Sequence, residues 1–153
     1  EVYNNGIEGV DFETGHSFKV ATLPAIALLK FIAYDDRPEQ RQKDATDISN
    51  LVIHFFTLND EMIYEHHNDL FDETKGIVFE NIGPIVLGRE MRKIANSNEG
   101  LVVRLNNILE KHIQEGENSA FVRLMVHPSN DDSTVDNVIS CLKDIHKGFS
   151  NSI

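Results

Sequence analysis

Apolar and polar residues alternate along the first twenty positions, which is typical of β-strands. Ile7 and Val10 precede a Glu-Thr-Gly-His turn at 13–16, and Phe18 and Val20 follow it. Two alternating segments on either side of a turn of this composition predict a β-hairpin. We therefore expect a hairpin edge over residues 1–22.

From Thr22 onward the apolar residues recur at spacings of three and four, which indicates helices. Thr22 is suited to cap a first helix over 25–34, and Pro24 is suited to its first turn. A second helix is expected from residue 39 or 40 to Thr57, and Asn59 and Ser133 are predicted N-caps of later helices. Those later helices are expected at 59–70, 84–95, 99–115, 119–126 and 134–147, with a loop at 72–76.

These elements predict an α+β chain that is predominantly α. The short N-terminal β-hairpin is expected to lead into a helical bundle over 23–153. The linker-like segments at 127–128 and 130–133 are too short to separate domains, and no internal repeat occurs. Residues 1–153 are therefore predicted to form a single domain.

The charge and the apolar runs exclude several classes of protein. With 14 Lys or Arg and 25 Asp or Glu residues, the formal charge of −11 argues against a protein that coats nucleic acid. The longest apolar run, 21–33, contains a proline and a lysine and is shorter than the roughly 18 residues of a membrane span, so no membrane partner is expected. Cys141 is the only cysteine, which favours a reducing cytoplasm.

Lys30 is the most unusual charge in the chain, because it lies in an apolar helix. An ammonium there needs a route to water or a fixed anionic partner. On the second helix, Asp44 and Asp47 extend the apolar stripe that continues with Ile48, so both carboxylates are expected to face the body of the protein. We therefore expect Lys30, Asp44 and Asp47 to converge in one sheltered pocket beside the hairpin.

Two roles are open for such a cluster. In a structural role, Arg37, Arg41 and Lys43 join Lys30 as counterions, and the network locks the two helices together. In a binding role, the same cations face a phosphate-bearing ligand and the two acids orient them. Periodicity alone favours the structural role, since many charge clusters of this kind are structural.

The stretch 23–48 resembles a motif of the nucleotidyltransferase family that includes the AbiEii-type toxins of bacterial toxin–antitoxin and abortive-infection systems. That motif combines an apolar helix carrying a lysine, an arginine-containing turn, and Lys-Asp-x-x-Asp followed by an aliphatic residue. The entry at 18–24 and the Leu-Gly-Arg at 87–89 are also similar to that family. The motif positions are occupied here by Lys30, Arg37, Lys43, Asp44, Asp47 and Ile48.

The resemblance implies that the chain is the C-terminal helical part of an enzyme that transfers NMP from an NTP to an RNA, protein or small-molecule acceptor. It implies catalytic roles for Lys30, Asp44 and Asp47. Lys30 would bind triphosphate oxygens as a point charge, and the acids would position Lys30 or the acceptor. Arg37, Arg41 and Lys43 are the implied substrate-binding residues.

Half of such a catalytic core is not found in this sequence. The family's Gly-Ser turn and Asp-x-Asp, whose carboxylates hold two Mg²⁺ ions, have no counterpart here, and the chain begins with Glu1 in place of Met. The resemblance thus implies a missing N-terminal half of the same protein, with Mg²⁺ and NTP bound only by the complete enzyme. This chain alone is then expected to be inactive and to supply no metal ligand.

An antitoxin protein and an RNA acceptor are the other expected partners. The alternative function is of another class, a non-catalytic helical module that binds a partner protein. His66 and His67 are adjacent, so they diverge on a helix, and we expect both on an exposed face. A solvated face is also the favoured interpretation of the basic group Arg89, Arg92, Lys93 and Arg104, ahead of an RNA-binding patch.

Overall fold

The hairpin predicted at the N-terminus is present. The structure, a computed structural model, describes residues 5–11, 13, 15–127 and 133–150, and only the backbone at 18. Strands β1 (Ile7–Asp11) and β2 (Ser17–Ala21) pair antiparallel, with Gly9 opposite Lys19. Position 14 of the predicted turn, and position 12 just before the turn, lie outside the described residues.

Helix α1 (Leu23–Asp36) begins at the predicted cap. The Thr22 hydroxyl oxygen accepts a hydrogen bond from the Ala25 N–H at 3.4 Å. Pro24 lies in the first turn, where its missing N–H leaves no helical hydrogen bond unmade. Arg37 is the C-cap of this helix, and its N–H donates to the Ala33 carbonyl oxygen at 3.2 Å.

Six more α-helices follow in the described ranges, so the chain is α+β and predominantly α, as predicted. Short 3₁₀ turns at Asn68–Phe71, Glu73–Lys75 and Gly116–Asn118 lie between them. In this part of the chain no helix has both the length and the hydropathy that a bilayer crossing needs. The helices are α2 (Gln42–Leu58), α3 (Asp60–His66), α4 (Phe79–Ala95), α5 (Glu99–Glu115), α6 (Ala120–Met125) and α7 (Val135–Ser150).

Helix α4 is at the centre of the bundle. It packs against α1, α2, α5 and α7, and its contact with α7 is the most extensive in the molecule. The apolar side chains of all seven helices meet in one continuous core. Its largest fully buried side chains include Phe31, Phe55, Phe121 and Phe149, each from a different helix. The bundle therefore depends on how closely its helices approach α4.

Two glycines determine the distance between α4 and α7. The Gly88 backbone lies against the Ile145 carbonyl and the Phe149 nitrogen, and Gly148 lies against the Ile85 carbonyl. A Cβ atom on either glycine would overlap these backbone atoms. The helices reach this separation only because both residues lack a side chain.

Helix α4 begins at Phe79, before the predicted start at 84. Pro84 therefore lies inside the helix and not at its first position. A proline in a helix removes one hydrogen bond, here the bond to the carbonyl of Glu80, and it crowds the preceding residue. Gly83 precedes it, and the absent Cβ relieves that crowding. The prediction was wrong because it treated Pro84 as a first-turn residue, which is a preference of proline and not a requirement.

Two predicted N-caps act differently in the structure. Asn59 occupies the N-cap position of α3, but its amide donates to the Phe55 carbonyl at 2.8 Å and so closes the end of α2. Ser133 accepts a hydrogen bond from the His127 N–H at 2.7 Å, and the Thr134 hydroxyl caps α7 in its place. Both helices therefore start near the predicted positions with different capping contacts.

Alanine at position 88 is expected to lower the free energy of unfolding by about 3 kcal/mol, since its methyl overlaps the backbone of α7. In an exposed helix the same substitution stabilises by up to about 1 kcal/mol, so the sign of the change is informative. Urea denaturation followed by circular dichroism measures this quantity.

Gly100→Ala is the matched control for Gly88→Ala. Its Cβ would lie 3.3 Å from a side-chain atom, the capping oxygen Asn98 Oδ1, and would not overlap the backbone of another helix. We expect it to change the free energy of unfolding by no more than about 1 kcal/mol. Equal stability of Gly88→Ala and wild type would contradict the close contact between α4 and α7.

Candidate functional site

Helix α1 and the first turns of α2 bring Lys30, Asp44 and Asp47 together. Lys30 Nζ donates to Asp44 Oδ1 at 2.9 Å and to Asp47 Oδ2 at 2.8 Å. The Asp44 side chain is only 6% exposed, whereas Lys30 and Asp47 keep 23% and 31% of their side-chain surface. The three residues therefore share one site, which is closed around Asp44 and open on the side of Asp47.

Of the three cations predicted beside these residues, Arg41 joins them. Its Nε donates to Asp44 Oδ2 at 2.6 Å, and about half of the side chain is exposed. Arg37, at the end of α1, and Lys43, in the first turn of α2, are exposed. Neither pairs with Asp44 or Asp47 in the described part of the chain. We call Lys30, Arg41, Asp44 and Asp47 the Lys30 cluster.

The pairing keeps Lys30 and Asp44 charged. Burial disfavours the ionised form of Asp44, but the hydrogen bonds and positive charges of Lys30 and Arg41 outweigh it, so the pKa of Asp44 lies below its usual value. Burial likewise opposes the charge on Lys30. The hydrogen bonds and negative charges of Asp47 and Asp44 overcome that effect and raise the pKa of Lys30.

The carboxylates of the Lys30 cluster do not fit a Mg²⁺ ion. Mg²⁺ requires carboxylate oxygens that are free to enter a near-octahedral shell. Both oxygens of Asp44 already accept hydrogen bonds from cations, and Asp47 Oδ2 accepts one from the Lys30 ammonium, which would repel a metal ion. In the ranges that the structure describes, no group of three His, Cys, Asp or Glu residues is placed to hold a metal. The cluster can instead hold Lys30 and Arg41 in fixed positions at a partly open face, where cations meet anionic oxygens.

Comparison with known proteins leaves the family of this chain open. No protein-family model, curated protein or solved structure matches it. The resemblance to nucleotidyltransferases therefore rests on the residues of the 23–48 stretch and stays a prediction.

A second charged network, which the sequence did not predict, connects the segment that follows α3 with helix α4. Both terminal nitrogens of Arg89 donate to Asp69, each at 2.8 Å. His67 is buried, with Nε2 2.8 Å from Glu90 Oε1 and Nδ1 3.4 Å from Arg89 Nη1. Because an arginine only donates, Nδ1 is the acceptor and Nε2 carries the proton that is donated to Glu90.

The exposed face predicted for both adjacent histidines is correct for His66 and wrong for His67. His67 ends α3, and its ring turns inward to the carboxylate of Glu90. The hydrogen bonds from Arg89 lower the pKa of Asp69 to about 2. The only sequence signal for this network was Arg89 itself, which stands next to buried positions of an amphipathic helix.

The basic residues weighed as an RNA-binding patch are divided among separate contacts. Arg89 and Lys93 belong to the network around Glu90, and Arg104 of α5 reaches back to the end of α1. The contacts of the four are Asp69 for Arg89, the Phe149 ring for Arg92, Glu90 for Lys93, and Asp35 and Asp36 for Arg104. Each of these cations already has a local partner, which is typical of a structural role.

His112 is a further buried polar group. Its Nδ1 lies 3.0 Å from Ser119 Oγ, and its ring stacks on Phe121 at 4.4 Å between centroids. Its Nε2 has no hydrogen-bond partner in the described residues. Burial, together with the positive charge of Lys111, lowers the pKa of His112 to about 4. The ring is therefore neutral at pH 7 and forms part of an aromatic cluster.

Replacing Lys30 with methionine is expected to lower the free energy of unfolding by about 2 kcal/mol, because it leaves the buried Asp44 with one partly exposed partner. Asp47→Asn removes a charge at a partly exposed position and is expected to cost less than about 1 kcal/mol. Chemical denaturation of both variants measures the difference. Equal effects of the two substitutions would contradict the burial of Asp44.

The stability of the protein is expected to depend on pH through His112. Its pKa is lower in the folded state than in the unfolded chain, so its contribution is complete above about pH 6.5 and falls as the pH drops toward 4. The slope contributed by this residue is at most about 1.4 kcal/mol per pH unit. Urea denaturation of wild type and His112→Gln across this range measures it.

Asp69→Asn is the control for the pH dependence of His112. The depressed pKa of Asp69 places its contribution above pH 3.8, with loss only as the pH falls toward 2. This variant should therefore keep the wild-type slope between pH 6.5 and 4, whereas His112→Gln should flatten it. The same slope in wild type and His112→Gln would show that the histidine titrates normally in the fold.

Proposed function

We propose that this chain is the C-terminal helical part of a nucleotidyltransferase of toxin type, which transfers NMP from an NTP to an RNA, protein or small-molecule acceptor. One observation carries the proposal. Lys30 lies 2.9 Å from Asp44 and 2.8 Å from Asp47, so the lysine and the acids of the 23–48 motif meet in one place. Residues that act on one substrate must lie close together. Charges on separate surfaces of the protein could not act on it jointly.

In this proposal Lys30 contacts the triphosphate and the two acids act through it. The raised pKa of Lys30 keeps the ammonium charged, as a point charge on phosphate oxygens must be. Asp44 fixes the ammonium from the buried side, and the partly exposed Asp47 orients it or the acceptor. Arg37, Arg41 and Lys43, all exposed, add positive charge for the substrate phosphates.

The proposal assigns Mg²⁺ and the NTP to the complete enzyme. The sequence has no Gly-Ser turn followed by Asp-x-Asp, and the acids of the Lys30 cluster do not fit Mg²⁺. The metal ligands are therefore assigned to an N-terminal half of the same protein, where Mg²⁺ would polarise the reacting phosphate. This chain alone is then inactive. An antitoxin and an RNA acceptor are the other proposed partners, and the cytoplasm is the proposed location.

Nucleotide titration of the full gene product tests this function. Each of the common NTPs is titrated with Mg²⁺ by isothermal calorimetry against wild type, Lys30→Met and the double variant Arg37→Ala/Arg41→Ala. We expect the dissociation constant of the bound NTP to rise by about tenfold or more in both variants, because each loses cations that contact the phosphates. Arg37 and Arg41 are exposed, and Asp44 keeps its hydrogen bond from Lys30 in the double variant, so the test stays informative if Lys30→Met folds poorly.

Arg104→Ala is the matched control, since it breaks an ion pair with α1 outside the Lys30 cluster. It is expected to leave the dissociation constant unchanged. Unchanged NTP binding in both cluster variants would overturn the proposed role and leave the cluster as a structural link between α1 and α2. Absence of Mg²⁺-dependent NTP binding in the wild-type protein would overturn the proposed enzyme class.

A further inference from the structure

Exposed apolar side chains are concentrated on one part of the surface. Eight large apolar side chains are exposed in the described residues, and five of them lie between positions 53 and 79. Single exposed apolar residues are ordinary, but a concentration of them marks an interaction site. The five are Ile53, Leu58, Tyr64, Val78 and Phe79.

Aromatic contacts make this surface continuous across three helices. The ring of Phe56 on α2 lies 6.0 Å from the ring of Tyr64 on α3 and 4.8 Å from that of Phe79 on α4. Tyr64 in turn stacks on Phe71 at 4.9 Å. The exposed rings of Tyr64 and Phe79 are thus held by the neighbouring rings of Phe56 and Phe71.

A groove of about 390 Å³ opens beside these rings, between α2, α4 and α7. Ile53 and Phe56 of α2, Phe79 of α4, and Val138 and Cys141 of α7 are among the residues that line it. A volume of this size is in the range that accepts inserted groups of a ligand or partner. We call the groove together with the exposed residues of segment 53–80, which supplies Ile53, Phe56, Phe79 and Glu80 to its lining, the acidic groove.

The segment that contributes Ile53, Phe56, Phe79 and Glu80 to the acidic groove is strongly negative. Segment 53–80 contains seven carboxylates and one lysine, so it carries more than half of the formal charge of −11. Glu80 itself lines the groove, and Glu61 and Glu65 flank Tyr64 on the exposed side of α3. The lysine, Lys75, is already paired with Asp69.

We propose that the acidic groove binds a basic amphipathic helix of a partner protein. The apolar face of such a helix fills the groove, and its lysines and arginines meet the carboxylates of the rim. A second copy of this chain would bring two acidic rims together, and nucleic acid or an anionic membrane would meet repulsion. This proposal gives the alternative function, a module that binds a partner protein, a binding site and a class of partner.

The acidic groove is independent of the proposed nucleotide site. Asp44 and Asp47 lie in the first two turns of α2, whereas Ile53 and Phe56 lie in its second half. Variants of the groove therefore leave the Lys30 cluster intact. A variant that loses peptide binding therefore leaves the proposed nucleotide binding untested, and the reverse also holds.

The proposal can be tested with a fluorescein-labelled helical peptide of about 18 residues, with leucines at i, i+3, i+4 and i+7 and lysines elsewhere. Fluorescence polarisation gives its dissociation constant for the wild-type chain and for Phe79→Ser, Tyr64→Ser and Glu80→Gln. We expect each variant to raise the dissociation constant, by about tenfold for the two aromatic residues. Affinity should fall as NaCl is raised from about 50 to about 500 mM.

The controls separate this site from general attraction to an acidic protein. Val103→Ser changes an equally exposed apolar residue on α5, and Glu110→Gln changes an exposed acid of the same helix. Both are expected to leave the dissociation constant unchanged. A control peptide with glutamate in place of every lysine should bind at least about tenfold more weakly.

Three results would overturn the proposal. The first is equal affinity for the lysine and glutamate peptides, and the second is an equal loss of affinity in Val103→Ser and Phe79→Ser. The third is a dimer in light scattering that Phe79→Ser dissociates, because the groove would then be an interface between two copies of this chain. Nuclear magnetic resonance spectra that keep the wild-type pattern away from the groove establish that Phe79→Ser remains folded.

Discussion

The contact between α4 and α7 is the constraint on which the rest of the bundle depends. At Gly88 and Gly148 the two backbones approach each other where no side chain fits. Helix α4 also packs against α1, α2 and α5, so its position relative to α7 determines where the other helices find their core. Close packing of this kind makes the interior sensitive to a single added methyl group.

Charged side chains connect the helices around that core. The Lys30 cluster joins α1 to α2, the Arg89–Asp69 pair joins the 3₁₀ turn after α3 to α4, and Arg104 joins α5 to α1. These links differ in burial, and only Asp44 and His67 among these charged or polar groups are almost fully enclosed. Enclosed groups of this kind depend most on their partners, because water cannot replace a lost hydrogen bond.

Helix α2 connects the two proposed functions. Its first turns carry the acids that meet Lys30, and its second half carries Ile53 and Phe56 at the acidic groove. The first surface offers fixed cations at a partly open face, and the second offers apolar side chains within a negative rim. One helix thus contributes to both proposed sites, a charge-balanced cluster of two cations and two acids for a phosphate-bearing substrate and an apolar groove with acidic residues beside it for a basic peptide segment.

The sequence by itself determined the hairpin and most of the helices, and it placed Lys30, Asp44 and Asp47 on the inward faces of two consecutive helices. These features follow from local rules, since alternation, three- and four-residue spacing and capping residues act within a few positions of the chain. Only the tertiary structure decided that α4 runs through Pro84 and that His67 turns inward to Glu90. It also decided that Gly88 meets α7 and that the exposed rings of segment 53–80 form one surface. Each of these features depends on a partner distant in sequence, and periodicity carries no information about which helices meet.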